Sequence, residues 1–146
     1  MRFFSTLLAG IFLLSVTGWD TDFENAKKKA EKEHKFILLN FSGSDWCGPC
    51  IRLHDQVFET NVFRNYADSS LVLINADFPR LKKNQLSKEQ QKKNDKLADK
   101  YDPEGIFPYT VLLNAEGKLV RSWEGLPNAT AEEFTRQVKT AINARN

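Results

Sequence analysis

The sequence predicts an α/β fold: a mixed central β-sheet flanked by helices, with one Lys-rich helical insertion. Two short and almost continuously apolar runs, at 36–41 and 70–77, are typical of strands buried on both faces of a sheet. Amphipathic segments alternate with these strands, and Gly117 lies in a short turn that joins the last two strands as a hairpin. A chain of 146 residues, of which 41% are hydrophobic, suits one core of this kind.

The remaining elements follow from capping signals and apolar periodicity. Asp22 or Thr21 can cap a first helix, and Thr130 with Glu133 forms a capping box before the last one. The predicted elements are a helix at 23–35, a strand at 36–41, a helix at 47–58, a shorter helix around 62–66, a strand at 70–77, a Lys-rich helix at 87–101, strands at 109–114 and 118–123, and a final helix. This order predicts two βαβ crossovers followed by the hairpin.

Residues 1–18 have the composition of an export signal. Arg2 precedes an apolar stretch, and Val16-Thr17-Gly18 places small residues where a signal peptidase cuts. The stretch from Leu7 to Val16 is too short to span a bilayer comfortably. We therefore expect a cleaved signal peptide at 1–18, an exported mature domain at 19–146 and no membrane span after cleavage. The alternative is an uncleaved anchor.

Charge gives little information about partners, except in one segment. The formal net charge of +2 implies neither a nucleic acid nor an anionic membrane as partner. Residues 80–100, however, hold eight basic side chains against three acidic ones, and Ser87 can cap a helix there. The simplest interpretation is a solvated helix that lies on the domain. The alternative is a docking surface for an acidic partner.

The only two cysteines, Cys47 and Cys50, lie in the segment Trp46-Cys47-Gly48-Pro49-Cys50. A pair with this spacing at the start of a helix is typical of a dithiol/disulfide redox site. Cys47 is the expected nucleophile, because N–H groups of the first turn and the helix dipole favour its thiolate. Cys50 lies one turn further on and is expected to be the more buried, resolving thiol. A bridge that closes so short a loop stabilises a fold little, so a structural role explains the pair poorly.

Other roles are open for several residues near this motif. His54 follows Cys50 by one helical turn and could join the cysteines on zinc, but only the distant His34 remains as a further histidine and a fourth ligand is missing. We therefore expect no metal and no organic cofactor. His54 is more simply a packed or hydrogen-bonded helix residue. Asp45 is expected to be a turn residue, with an electrostatic effect on the thiols as the alternative, and Trp46 is expected at the rim of the site rather than in the core.

Three segments of the chain resemble the thioredoxin family. The motif Trp46-Cys47-Gly48-Pro49-Cys50 after an apolar strand is similar to the family's active site, and Gly105 to Thr110 resembles its Ile-Pro-Thr segment. Glu124-Gly125-Leu126 resembles its glycine loop at the rim of the site. The resemblance implies a thioredoxin fold, a redox disulfide between the two cysteines and a cis peptide bond before Pro108. It also implies a substrate-binding surface of Trp46, Phe107, Pro108 and Gly125, with Gly48 and Pro49 shaping the motif.

The resemblance covers residues 22–142 and is greater to exported bacterial members. Residues 42–47 and 57–60, together with the Lys-rich insertion, are similar to thioredoxin-like domains of periplasmic disulfide-reducing systems. This implies a periplasmic monomer that reduces disulfides in proteins or peptides, with a membrane protein as electron donor. Asn40, however, stands where many thioredoxins have a buried Asp, and Leu73 stands where the lysine that often pairs with it lies. Cys50 would then lose its proton through water or with the help of a group such as Asp45.

Two further functions stay open at this stage. An oxidase or an isomerase would use the same two cysteines, although Gly48-Pro49 inside the motif resembles the reducing members of the family. A redox-silent peptide-binding or chaperone module of the same fold would hold extended peptides in the groove beside Pro108.

Overall fold

The computed structural model describes residues 18–145, so the predicted signal segment lies outside the described residues except for Gly18. The helices and strands are α1 Phe23–Glu33, β1 Phe36–Ser42, α2 Gly48–Leu53, α3 Asn61–Ser70, β2 Leu71–Asp77, α4 Lys88–Tyr101, β3 Tyr109–Leu113, β4 Leu119–Glu124 and α5 Ala131–Asn143. A π-helical turn, His54–Phe58, continues α2, and a 3₁₀ turn, Lys82–Asn84, precedes α4. No helix in the described range is both long and apolar enough to cross a membrane.

The four strands form one mixed sheet in the order β2-β1-β3-β4. β1 pairs in parallel with β2, whereas β3 is antiparallel to both β1 and β4. The predicted second βαβ crossover is therefore wrong, because β3 runs opposite to β2. The reason is that β2 ends and β3 begins at the same end of the sheet, where Ser42 pairs with Asp77 and Phe41 with Tyr109. The segment that contains α4 leaves this end and returns to it, close to the cysteine motif that follows β1.

The outer edge of β2 is covered by the short segment before α1. Asp20 forms a parallel bridge to Ile74; its amide donates to the Leu73 carbonyl at 2.8 Å, and its own carbonyl accepts from the Asn75 amide at 3.0 Å. Exposed strand edges can pair with strands of other chains. The bridge by Asp20 covers part of this edge and makes that part unavailable for such pairing.

Two apolar cores lie on opposite faces of the sheet. On one face, α2, α3 and α5 pack over a group of phenylalanines that are almost completely buried: Phe58, Phe63 and Phe134. On the other face, α1 and α4 cover the alternate strand residues with Ala26, Ala30 and Leu97. Residues 37–42 of β1 are buried throughout, which confirms the prediction of a strand enclosed on both sides.

The Lys-rich helix α4 is solvated outward and anchored inward. Ser87 caps it, since its Oγ accepts from the Gln90 amide at 3.1 Å. Asn94 and Leu97 are buried, and Asn94 Nδ2 donates to the Asp77 carbonyl at 2.9 Å. The lysines of the helix are exposed. This confirms the interpretation of a solvated helix lying on the domain.

Candidate active site

Cys47 and Cys50 are joined by a disulfide bond across the first turn of α2, with their Cα atoms 5.2 Å apart. Cys47 is the N-cap of this helix, and its Sγ accepts a hydrogen bond from the Cys50 amide at 3.2 Å. Gly48 and Pro49 occupy the first turn and are exposed. The expectation that Cys50 is the more buried cysteine is wrong for this oxidised form, because both residues are 4% exposed.

The Trp46 indole packs against the turn that leads into the motif. A Cβ atom added at Gly43 would fall within 2.5 Å of the Trp46 indole, which is closer than real Cβ contacts come. The indole N–H donates to the Phe78 carbonyl at 2.8 Å, and the Cys47 amide donates to the Gly43 carbonyl at the same distance. Only glycine at position 43 leaves room for the indole in this place. Trp46 is partly exposed, as expected of a residue at the rim.

The segment before β3 meets the motif through aromatic contacts. The Phe107–Pro108 peptide bond is cis, and the Phe107 ring lies edge-on to Trp46 with centroids 5.4 Å apart. The Phe78 ring also contacts the Phe107 ring edge-on, with centroids 5.5 Å apart. The Gly125 amide donates to the Pro108 carbonyl at 2.8 Å. The three segments that the sequence singled out therefore lie together at one end of the sheet.

Asp45 fixes a loop that sequence reasoning did not connect with the site. Its carboxylate accepts from the amides of Arg80 and Leu81, both at 2.9 Å, and from Asn84 Nδ2 at 3.1 Å. These hydrogen bonds, the one from the Arg80 amide first, lower the pKa of Asp45. The Arg80 guanidinium carbon lies 3.6 Å from the centre of a Trp46 ring. Asp45 thus lies in a turn, as predicted, and also clamps residues 80–84 against the site.

A second carboxylate, Asp77 at the end of β2, holds the turn after β1. It accepts from Ser42 Oγ at 3.3 Å, from the Ser44 amide at 2.9 Å and from Ser44 Oγ at 2.5 Å. Sequence reasoning missed this contact, and the only signal was the position of Asp77 at the end of a predicted strand. The contact ties the chain just before the cysteine motif to the neighbouring strand.

Asn40 forms a polar row across the sheet beneath the motif. Thr110 Oγ1 donates to Asn40 Oδ1 at 3.1 Å, and Asn40 Nδ2 donates to Asn75 Oδ1 at 3.4 Å. Asn40 is 6% exposed, and none of these three side chains titrates. A cavity of about 300 Å³ opens beside this row, and its lining includes Asn40, Asn75, Cys50 and His54. Water in this cavity can reach the side of the site where Cys50 lies.

His54 begins the π-helical turn and pairs with two carboxylates. The predicted helix does extend to Phe58, but its last five residues are π-helical, and the Glu59 amide donates to the His54 carbonyl at 2.9 Å. His54 Nδ1 lies 3.1 Å from Asp55 Oδ1, and Nε2 lies 3.4 Å from Glu59 Oε1. This confirms the hydrogen-bonded interpretation. Among residues 18–145, no group of three or more His, Cys, Asp and Glu side chains is placed to hold a metal ion.

Asp102 supports the segment that leads to Pro108, which sequence reasoning also missed. Its Oδ1 accepts from the Ile106 amide at 2.9 Å, whereas Oδ2 is buried without a hydrogen-bond partner. The residue is 3% exposed. Burial raises the pKa of this carboxyl group.

Comparisons with known proteins agree with this geometry. The family model of a thioredoxin-like domain matches residues 23–142. The disulfide bond reductase DsbH of Chlamydia pneumoniae is 35% identical over 127 residues, which cover 87% of this chain and 74% of that protein. The structure of a DsbH oxidoreductase has a TM-score of 0.78 at 32% identity and covers 86% of this chain and 84% of its own. The oxidised C-terminal domain of Neisseria meningitidis DsbD has a TM-score of 0.54 at 16% identity, covers 81% of this chain and 90% of its own, and is similar in fold alone. The chain belongs to the thioredoxin-like family and is a thiol–disulfide oxidoreductase.

Proposed function

We propose that this protein is an exported reductase that acts on disulfide bonds of other proteins through Cys47 and Cys50. The observation that carries the proposal is the position of Cys47 Sγ at the start of α2. This sulfur caps the helix, accepts a hydrogen bond from the Cys50 amide and is bonded to Cys50 Sγ. A hydrogen bond to a thiolate is stronger than one to a neutral thiol, so this environment lowers the pKa of Cys47 in the reduced protein. Cys47 is accordingly the nucleophile and Cys50 the resolving thiol.

The exchange takes place in two steps, in which two electrons pass to the substrate. The Cys47 thiolate attacks one sulfur of the substrate disulfide; a bond forms between Cys47 and that sulfur, and the second substrate sulfur leaves as a thiolate. Cys50 then loses its proton and attacks Cys47 Sγ. The Cys47–Cys50 disulfide forms, the bond to the substrate breaks, and the reduced substrate leaves.

The proton of Cys50 leaves through water in the cavity behind the motif. Asn40 stands below the motif and cannot accept a proton, because an amide does not titrate. The cavity of about 300 Å³ connects Cys50 with Asn75 and with the exposed His54. Polar lining groups of this kind give water the partners that it needs.

The substrate chain lies beside Trp46, Phe107, Pro108 and Gly125; Pro108 is buried, whereas the other three are partly exposed. Trp46 and Phe107 contact each other and are both partly exposed, so they offer an apolar surface close to the disulfide. The Gly125 amide is engaged by the Pro108 carbonyl, so Gly125 acts by holding this segment in place. A chain that carries a disulfide would lie across the Phe107–Pro108 segment while Cys47 attacks.

Three observations support reduction as the direction of the reaction and a compartment outside the cytoplasm as its place. The residues inside the motif are Gly48 and Pro49, the sequence of residues 1–18 has the pattern of a signal peptide, and a relative that covers most of the chain is named a disulfide bond reductase. An exported compartment is oxidising, so the dithiol must be restored after each turnover. We propose a membrane protein with its own dithiol as the donor and the periplasm as the compartment.

Trapping with Cys50→Ser tests the exchange mechanism. This variant keeps Cys47 but cannot resolve the mixed disulfide, so we expect substrate proteins to stay covalently attached until a reducing agent is added. Cys47→Ser is the matched control and should trap nothing. Equal, sparse adducts with both variants would contradict the mechanism and favour a redox-silent peptide-binding module.

Equilibration with glutathione tests the direction. A reduction potential near about −270 mV, as in thioredoxin, would support a reductase. A value near about −120 mV would show that the protein is a strong oxidant instead.

A further inference from the structure

Arg80 is a cationic group that lies on the rim of the candidate active site. Its guanidinium lies over Trp46 at 3.6 Å from a ring centre, and Trp46 directly precedes Cys47 and contacts Phe107. Stacking on an indole orients a guanidinium and leaves its N–H groups free to donate at the edge of the ring. Arg80 is exposed, so a bound polypeptide can reach these donors.

Arg80 owes this position to the clamp by Asp45. Three hydrogen bonds from residues 80–84 end on the Asp45 carboxylate, and two of them come from the backbone at Arg80 and Leu81. The side chain of Arg80 therefore starts from a fixed point next to the motif. A side chain held in place loses less freedom on binding a partner than a mobile one.

The positive charge at this rim has no carboxylate partner within the described range. Neither Arg80 nor Arg52 forms an ion pair among residues 18–145. A Cβ atom at Gly48 would lie 3.5 Å from Arg52 Nη1, which places a second guanidinium against the exposed turn of the motif. The Asp45 carboxylate is occupied by its three donors. Three other acids, Asp102, Glu104 and Glu124, line a different cavity.

We propose that Arg80, stacked on Trp46, selects substrate segments with an acidic residue beside the cysteine under attack. The inference rests on the proposed function, because a bound substrate chain must pass over the Trp46 rim. A carboxylate one or two residues from the substrate cysteine can accept hydrogen bonds from the Arg80 guanidinium. A lysine in that place is repelled by the positive charge of Arg80. Arg80 is thus a specificity-determining residue, and the substrate class is disulfides with acidic flanks.

Three model peptides test the proposal. They share the sequence Ala-X-Cys-X-Ala, with X as Glu, Gln or Lys, are blocked at both ends and carry thionitrobenzoate on the cysteine. The pre-reduced enzyme releases thionitrobenzoate, and absorbance gives a second-order rate constant for each peptide. We expect the Glu peptide to react roughly three- to fivefold faster than the Gln peptide, and the Lys peptide to react slowest. The differences should shrink as salt is added.

Variants of the enzyme separate recognition from other effects of Arg80. Arg80→Gln should bring the ratio between the Glu and Gln peptides to about one, and Arg80→Lys should keep part of it. Lys96→Gln, which removes one exposed charge from α4, should keep the whole ratio. An effect of Arg80 on the Cys47 thiolate would change all three rates alike, so the ratio isolates recognition.

The outcomes against the proposal are distinct. Equal rates for the three peptides in the wild type, or a ratio that survives Arg80→Gln, would overturn the role of Arg80 and leave the reductase intact. If no peptide released thionitrobenzoate above the uncatalysed rate, the proposed function would fail together with the inference.

Discussion

Gly43→Ala should displace Trp46 and weaken both the fold and the site. The added Cβ would fall within 2.5 Å of the indole, so the ring or the backbone beneath it must move. An indole that leaves this place loses the hydrogen bond to the Phe78 carbonyl, worth about 1 kcal/mol, the edge contact with Phe107, worth about 0.5–1.5 kcal/mol, and the Arg80 contact, worth about 0.5–1 kcal/mol. Together these losses amount to roughly 2–3.5 kcal/mol.

Urea denaturation measures this effect directly. With a typical slope of about 1–3 kcal/mol per molar urea, the loss lowers the midpoint by about 0.7–3.5 M. Gly48→Ala is the matched control, because its Cβ would meet only Arg52 Nη1 at an ordinary 3.5 Å. Alanine also suits a helical first turn better than glycine, so Gly48→Ala should keep or raise the midpoint. If Gly43→Ala unfolded at the wild-type urea concentration with unchanged tryptophan fluorescence, the packing of Trp46 described above would be refuted.

Three further predictions concern groups behind and beside the site. Asn40→Asp places a carboxyl group in the cavity with Cys50, where burial raises the pKa of that group. The variant should release substrate from the mixed disulfide about tenfold faster or more at neutral pH, because the carboxylate can take the Cys50 proton. An unchanged pH profile of this release in stopped-flow measurements would contradict the role of the cavity. Burial raises the pKa of Asp102, so the native state holds this proton more tightly than the unfolded chain does, and the wild type loses stability as the pH rises above about 4. Asp102→Asn should lack that loss, so the urea midpoints of the two proteins should diverge between pH 4 and pH 8; a difference that does not vary with pH would exclude Asp102 as the cause. Leu97→Ala should cost about 2–4 kcal/mol and Lys96→Ala less than about 0.5 kcal/mol, if α4 is packed as described; equal urea midpoints for the two variants would show that it is not.

The elements of the fold could be predicted because each depends on nearby residues. Apolar runs mark β1 and β2, and Gly117 marks the hairpin turn. Ser87 caps α4, and Thr130 caps α5. The direction of β3 could not be predicted in this way. It depends on the end of the sheet to which the chain returns after α4. A parallel and an antiparallel β3 would show the same local pattern of apolar residues.

The cysteines, Trp46 and Pro108 could be located in the sequence because their motifs are short. The side chains that hold them could not be predicted, because one contact joins distant positions and the others follow no local motif. Asp45 reaches residues 80–84, Gly43 is needed for the place of an indole three residues on, and Asp102 supports the Pro108 segment from the end of α4. A polar residue in a loop has many such partners available to it, and the fold alone selects one.

Alkylation of the reduced protein tests the central claim most directly. With iodoacetamide and mass spectrometry, the rate at each cysteine is followed from pH 4 to pH 10. We predict that Cys47 reacts fast, with a midpoint well below the usual thiol value of about 8.5, and that Cys50 stays slow until the protein unfolds. Two cysteines that react equally slowly, with midpoints at or above that value, would contradict the assignment of Cys47 as an activated nucleophile.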